Sequence, residues 1–122
     1  LFWAGDRLDQ SLVDFIASLR PRFKTALLSN AGPDASETLS IAYPSLLKPF
    51  DVIVFSGEVR LVKPDPAMYH YMLNKLGLAP AETIFIDDFP RNIYAAQMVG
   101  MNAIQFQSTA QIQRDLASWI KE

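Results

Sequence analysis

The sequence has no cysteine and only one histidine, His70, among its 122 residues. Without cysteine the chain can form neither a disulfide nor a thiolate metal site, and one histidine cannot build a zinc site by itself. We therefore assign His70 a structural or solvent-facing role. The absence of disulfides fits a reducing compartment, and we expect a cytoplasmic protein.

An excess of one charge and a long apolar run are also missing. The 11 basic and 13 acidic residues give a formal net charge of −2 and are spread along the chain. No basic stripe is present that could follow a nucleic acid backbone or an anionic membrane surface. No apolar run approaches the roughly 20 residues of a membrane span. We expect neither nucleic acid nor a membrane as a partner.

The composition is typical of one globular core, with half of the residues apolar and a fifth charged. Short apolar runs without polar alternation, typical of buried parallel strands, alternate with segments of helical periodicity. This order predicts an α/β fold, a Rossmann-like three-layer α/β/α core with a mainly parallel sheet. The predicted strands are 24–28, 52–55, 83–86 and 102–106, and the predicted helices are 9–19, 34–41, 66–76, 90–99 and 108–121. A loop is predicted at 57–64, and the helix at 66–76 is predicted to begin at Asp65 and Pro66 and to end at Gly77. Its predicted buried face is Tyr69, Met72, Leu73 and Leu76, and the last helix is predicted to bury Ile112, Leu116, Trp119 and Ile120.

Polar residues stand at the carboxyl ends of the predicted strands or in the loops that follow them. The first strand ends in Ser29-Asn30, the loop after the second contains Lys63, and the third ends in Asp87-Asp88. Ligands of open parallel sheets bind beyond the carboxyl ends of the strands. These residues are therefore the candidate site.

Each of the first candidates also has a structural reading. The Ser29 hydroxyl and the backbone N–H groups after it can hold a phosphoryl oxygen, or the hydroxyl can satisfy its own turn. Asn30 can belong to the same phosphate site or be a turn residue, since asparagine is common in turns. Lys63, restrained by the following Pro64, can direct its ammonium at a phosphoryl group or can be a solvated surface lysine. Asp65 is read mainly as a helix cap, with at most a supporting role in orienting the site.

The pair Asp87-Asp88 carries the strongest single signal. Two adjacent carboxylates after a buried strand repel each other unless a cation or hydrogen-bond donors compensate them. Mg²⁺ is held by one or two carboxylates together with water and substrate phosphate. The alternative is a turn and helix cap before Pro90. Asn92 could support the carboxylates through hydrogen bonds or be an ordinary residue of the first helical turn.

Three segments in this order and spacing, Leu27–Ala31, Val62–Tyr69 and Ile84–Asn92, resemble the haloacid dehalogenase-like superfamily. The resemblance is to its subgroup of small phosphatases and sugar-phosphate enzymes, and it runs from about Asp9 to the end of the chain.

The resemblance implies a role for each candidate. Ser29 corresponds to the phosphate-binding hydroxyl residue, with Asn30 beside it, and Lys63 corresponds to the lysine that steadies the nucleophile and the transferring phosphoryl group. Asp88 is expected to bind Mg²⁺ directly, and Asp87 directly or through water.

The nucleophile of that family lies in an Asp-x-Asp motif at the end of an N-terminal strand, and no such motif occurs here. Asp6 and Asp9 have the wrong spacing, and no apolar strand is predicted before them. Residues 1–20 resemble the end of a cap segment and the helix returning to the core, and residues 21–122 resemble a partial core. The central strand of the sheet is thus predicted to be missing. We expect a truncated chain with about 80 further N-terminal residues in the gene product, or a gap closed by edge pairing or by a homodimer formed through the exposed sheet edges.

The resemblance implies a magnesium-dependent phosphohydrolase that acts on a small phosphorylated metabolite through an aspartyl-phosphate. The isolated chain is expected to be inactive, because the nucleophile is not in it. One alternative is a non-catalytic phosphate- or magnesium-binding or assembly module. Another is a phosphomutase or a 2-haloacid dehalogenase, although the metal-free dehalogenases typically have serine where Asp87-Asp88 stand.

Overall fold

The computed structural model describes residues 2–4, 10–20, 22–29 and 48–119. Within them lies one sheet of five parallel strands in the order β3-β2-β1-β4-β5. The strands are β1 (Phe2–Ala4), β2 (Ala26–Ser29), β3 (Val52–Phe55), β4 (Ile84–Asp87) and β5 (Asn102–Gln105). The predicted α/β architecture with a parallel sheet is confirmed.

The described helices lie between and after the strands. They are α1 (Gln10–Ser18), α2 (Ser56–Val59), α3 (Pro66–Leu76), α4 (Pro90–Val99) and α5 (Thr109–Ala117), with a 3₁₀ turn at Pro80–Glu82. Crossovers between parallel strands are right-handed, so α1, which leads from β1 to β2, lies on the opposite face of the sheet from α3 and α4. The hydroxyls of Ser11 and Thr109, 2.6 Å apart, join α1 to α5.

The ends of α3 and α4 follow from their sequences. Asp65 caps α3, and its carboxylate accepts a hydrogen bond from the Ala67 N–H at 2.9 Å. Gly77 and Gly100 end the two helices with φ angles of 69° and 103°, where a residue with a Cβ atom would be strained. Proline occupies the first turn of both helices, where its missing N–H costs nothing.

The core forms where the apolar faces of the helices meet the sheet. The predicted buried face of α3 is confirmed, because Tyr69, Met72, Leu73 and Leu76 are all buried. The strands contribute fully buried side chains on both sides, among them Leu27, Leu28, Phe85 and Ile86. Ile112 and Leu116 of α5 are buried, as predicted. No helix of the described residues is long and apolar enough to cross a bilayer.

The centre of the sheet differs from the prediction. The place between β2 and β4, expected to be empty, is taken by β1, which pairs with β2 through Phe2–Ala26 and with β4 through Ala4–Asp87. A three-residue strand is shorter than the runs of four to eight residues on which strand prediction depends. Asp6 therefore does follow an apolar strand, although Asp6 and Asp9 themselves lie outside the described residues.

The edges on which a homodimer was predicted are both paired with β1 in this structure. The predicted boundary between residues 20 and 21 stays a prediction, and the predicted helix at 34–41 lies outside the described residues.

Two smaller predictions were wrong. The loop predicted at 57–64 begins with the short helix α2. Trp119 was expected in the core but is 47% exposed, because α5 ends at Ala117 and Trp119 falls out of the helical register. Ile120 lies outside the described residues.

Candidate active site

The candidate residues lie at one edge of the sheet because the strands are parallel. β2 ends at Ser29 and β4 ends at Asp87, with Ala4 of β1 in register beside Asp87. Adjacent strands are about 4.8 Å apart, so the ends of β2 and β4 are separated by about 10 Å across β1. Ala4 brings no functional group to this edge. A ligand placed over the end of β1 would lie between Ser29 on one side and Asp87 on the other.

Lys63 and Asp87 form a buried ion pair at this edge. The Lys63 ammonium lies 3.0 Å from Asp87 Oδ2, and the two side chains are 3% and 0% exposed. The Phe85 ring adds a weak contact, with its centroid 6.0 Å from Lys63 Nζ. The solvated-surface reading of Lys63 is therefore wrong. A charge this deeply buried requires its partner, so each residue fixes the other.

Further donors complete the coordination of the Asp87 carboxylate. The Phe89 N–H donates to Oδ1 at 2.9 Å and Asn92 Nδ2 donates to Oδ2 at 3.1 Å. The hydrogen bond from the Phe89 N–H is the one expected if Asp87 belongs to a turn before the helix. The bonds from Lys63 and Asn92 are not part of a turn. These three donors come from two parts of the chain, the loop before α3 and the N-terminal end of α4.

Asn92 leaves one polar atom without a partner. The residue is 3% exposed, and Oδ1 accepts no hydrogen bond from any group in the part of the chain that the structure describes. A flipped amide would place Oδ1 against the Asp87 carboxylate, so the orientation with Nδ2 toward Asp87 is favoured. A buried acceptor without a donor costs free energy that a water molecule or a cation could recover.

Asp88 is placed differently from its neighbour. The residue is exposed, although partial burial of its carboxyl group raises the pKa above the ordinary value. A hydrogen bond with Asp87 and the Asp87 charge raise the pKa further, and the Lys63 charge lowers it. A bound cation would favour the ionised form of such a carboxyl group. Because Asp88 is exposed and Asp87 is fully buried, Asp88 is the more accessible of the two carboxylates.

Tyr69 is a site neighbour that sequence reasoning had assigned only to the core. Its hydroxyl donates to the backbone carbonyl of Asn92 at 3.0 Å, and its ring meets Phe85 edge to face at a centroid distance of 5.2 Å. Burial and the Asp87 charge hold the pKa of the phenol well above its usual value, so it stays protonated. The usable signal was a buried phenol, which needs a polar partner.

The other candidates are placed as follows. Ser29 is the last residue of β2, but its side chain and all of Asn30 lie outside the described residues. Asp65 caps α3 directly after Lys63 and Pro64, as predicted. His70 is exposed on α3, as expected.

The described residues fit half of a magnesium site. They contain no cluster of three or more His, Cys, Asp or Glu side chains. They do offer oxygen atoms, which Mg²⁺ prefers, on Asp88, on Asp87 and on the unpartnered Asn92 Oδ1. Mg²⁺ sites usually include waters and substrate phosphate besides one or two carboxylates. The residues present therefore fit the ion, with Asp88 the most accessible ligand.

The fold and this site define a class. The family model described as haloacid dehalogenase-like hydrolase matches residues 1–100. This chain belongs to the haloacid dehalogenase-like hydrolases.

Individual relatives agree with that assignment. Bifunctional epoxide hydrolase 2 of Mus musculus is 32% identical over 83% of this chain and 19% of its own length. D-ribitol-5-phosphate phosphatase of Bacteroides thetaiotaomicron is 29% identical over 93% of this chain and 59% of its own. A haloacid dehalogenase family enzyme of the same organism, solved in complex with magnesium and inorganic phosphate, superposes with a TM-score of 0.72 at 25% identity, covering 82% of this chain and 53% of that one. The chain thus spans only part of these relatives.

Proposed function

We propose that this chain is the phosphate- and magnesium-binding part of a magnesium-dependent phosphohydrolase that acts on a small phosphorylated metabolite. The observation that carries the proposal is the buried Lys63–Asp87–Asn92 cluster beside the exposed Asp88 at the carboxyl edge of the sheet. Relatives named as a phosphatase, or solved with magnesium and inorganic phosphate, support the reaction class.

The residues would act in distinct ways. Lys63 places a fixed positive charge where negative charge develops on a transferring phosphoryl group. Ser29 would hold a phosphoryl oxygen from the other side of β1, with Asn30 beside it. Mg²⁺, when bound by Asp88 and Asp87, would neutralise phosphate charge. Asn92 keeps Asp87 oriented, and Asp65 orients the chain after Lys63.

The nucleophile is the missing part of this proposal. In the family an aspartate at the end of the central strand forms the aspartyl-phosphate, and here the last residue of β1 is Ala4. Because Asp6 and Asp9 lack the Asp-x-Asp spacing of the family, the proposed enzyme takes its nucleophile from residues outside this chain, and we expect the 122-residue chain alone to be inactive. We place the intact enzyme in the cytoplasm.

A second candidate is a non-catalytic module that binds phosphate or magnesium, or that takes part in assembly. The observation that favours it is the same Ala4, since alanine cannot attack phosphorus. A homodimer would be one form of such an assembly. The two candidates differ in whether any form of the protein releases phosphate.

The test compares the 122-residue chain with the longest product of its gene. Release of phosphate from an aryl phosphate is measured with and without Mg²⁺, and binding of Mg²⁺ to both proteins is measured by calorimetry. We expect Mg²⁺-dependent release by the longer protein only, abolished by Asp88→Asn and retained in Asp115→Asn, which alters an exposed carboxylate on α5. A longer protein that binds Mg²⁺ but releases no phosphate would overturn the enzyme in favour of the module.

A further inference from the structure

The hydroxyl group of Tyr69 makes a hydrogen bond that the core does not require. Tyr69 is 1% exposed, and its ring packs against Phe85, a contact that phenylalanine would also make. The hydroxyl adds a bond of 3.0 Å to the Asn92 carbonyl. That carbonyl lies in the first turn of α4, where the helix itself ordinarily supplies a donor four residues on, so it has a second lone pair to spare.

The same asparagine then contacts the acidic group of the site. The backbone carbonyl of Asn92 accepts the hydrogen bond from the Tyr69 hydroxyl, and Asn92 Nδ2 donates a hydrogen bond to Asp87 Oδ2 at 3.1 Å. Asp87 in turn holds Lys63 at 3.0 Å. Four buried residues, on α3, α4, β4 and the loop before α3, are thus linked in series from Tyr69 to Lys63, and Asn92 connects the two ends through its backbone and its side chain. Such a network is more rigid when every member is bonded than when one link is cut.

The position of the α4 first turn decides where the Asn92 amide lies. α4 begins directly after the site residues, with Pro90 and Arg91 in its first two positions, and Phe89 makes no side-chain cap bond to the helix. A neighbouring helix that holds the Asn92 carbonyl fixes how deep this turn lies against α3. It thereby fixes both Nδ2, which binds Asp87, and the unpartnered Oδ1.

We propose that Tyr69 is a positioning residue of the active site, whose hydroxyl holds Asn92 so that its amide orients Asp87 and presents Oδ1 to a bound ion or water. The role of Tyr69 in the active site rests on the proposed function, whereas its hydrogen bond to Asn92 is a property of the described residues alone. Tyr69 touches no reacting group and acts only through Asn92.

The test removes one oxygen atom from each of two tyrosines on the same helix. Tyr69→Phe is compared with Tyr71→Phe, whose ring lies under the Lys75 ammonium on another face of α3. Exchange of the Asn92 side-chain amide protons with water is measured by NMR on the 122-residue protein. We expect exchange roughly two- to tenfold faster in Tyr69→Phe, because the Asn92–Asp87 hydrogen bond that protects these protons weakens by up to about the worth of one hydrogen bond when Asn92 is no longer held, and unchanged in Tyr71→Phe.

A third variant separates positioning from general loss of stability. Ile112→Val shortens a buried side chain on α5, away from the network, and lowers stability without touching Asn92. Unchanged Asn92 exchange in Tyr69→Phe, or equal acceleration in Ile112→Val, would overturn the proposal.

Titration with Mg²⁺ provides the second readout. In a wild-type chain that binds the ion, Tyr69→Phe should weaken the apparent Kd by a similar factor, with Tyr71→Phe unchanged. Equal Kd values for wild type and Tyr69→Phe would overturn the functional purpose. A wild-type chain that binds no Mg²⁺ counts against the proposed half-site instead, and the exchange of Asn92 still decides the role of Tyr69.

Discussion

Two ion pairs of this protein join the same kinds of groups in opposite surroundings. Lys63 and Asp87 meet at the carboxyl edge of the sheet with side chains that are 3% and 0% exposed. Arg20 and Asp51 meet at 2.8 Å near the amino ends of β2 and β3, with side chains that are 36% and 33% exposed. Both aspartates also accept a backbone N–H, from Phe89 and Thr25 respectively.

The difference lies in what each pair can do besides holding the fold. The exposed pair gains little from its charges, because water and salt screen them, and its value is to tie the end of α1 to two strands. The buried pair was costly to desolvate and is weak evidence of stabilisation by itself. Its benefit is a cation and an anion fixed in place beside Asp88. The difference in burial therefore distinguishes the Arg20–Asp51 pair, a structural link, from the Lys63–Asp87 pair, a candidate functional centre.

The largest expected effect comes from removing the buried cation. Lys63→Met leaves Asp87 charged and buried, and we expect the free energy of unfolding to fall by about 3–5 kcal/mol. The matched change in the exposed pair, Arg20→Met, should cost at most about 1 kcal/mol. Urea denaturation at neutral pH measures both. The double variant Lys63→Met/Asp87→Leu should recover much of the loss, and equal losses in the two single variants would remove the contrast.

The contribution of the exposed Arg20–Asp51 pair should be detectable as a change of the free energy of unfolding with pH. The Thr25 N–H, opposed by partial burial and helped by Arg20, lowers the pKa of Asp51 below its ordinary 3.8. A lowered acid pKa stabilises the folded state above the unfolded value and loses that contribution as the pH falls through the folded one. Asp51→Asn should therefore be less stable than wild type at pH 7, by less than about 1 kcal/mol. Denaturation curves recorded down to acid pH should converge, and a constant difference would contradict this cause.

The smallest effect is expected at Asp88, with the opposite sign. Its pKa is raised, so ionisation costs stability as the pH rises through the folded value, and the cost is absent at low pH. Asp88→Asn should gain a few tenths of a kcal/mol at pH 7, because the group is exposed. Added Mg²⁺ should reverse the order by stabilising only the wild type. A loss at pH 7 without Mg²⁺ would show that Asp88 already has a stabilising partner.

Much of the fold could be predicted because local signals agreed with the tertiary structure. Asp65, Pro66 and Gly77 bounded α3 correctly, and the apolar run Val52–Phe55 formed β3 as predicted. β1 could not be predicted, because three residues carry no period and its place depends on pairing with distant strands. Trp119 was missed because the end of α5 decided its exposure.

The site was predicted in part for a similar reason. The spacing of Lys63 and the Asp87-Asp88 pair indicated a common edge of the sheet, and the structure brings Lys63 and Asp87 into contact. The resemblance had implied that Asp88 is the direct Mg²⁺ ligand. The complete burial of Asp87 could not be predicted, because it depends on how the loop before α3 and the start of α4 pack over the end of β4. The hydrogen bond from Tyr69 to Asn92 joins two helices, and no local pattern encodes it.

The short central strand has a mechanical consequence. β2 and β3 pair along their full lengths, as do β4 and β5, whereas β1 touches each half of the sheet only through its few residues. The sheet therefore consists of two halves, β2–β3 and β4–β5, that are joined only by the short strand β1, which we call the seam. Local opening should begin at that seam, where the fewest backbone bonds must break. Ser29 belongs to one half-sheet and Asp87 to the other, so any breathing of the seam would widen or narrow the gap in which a phosphate would sit.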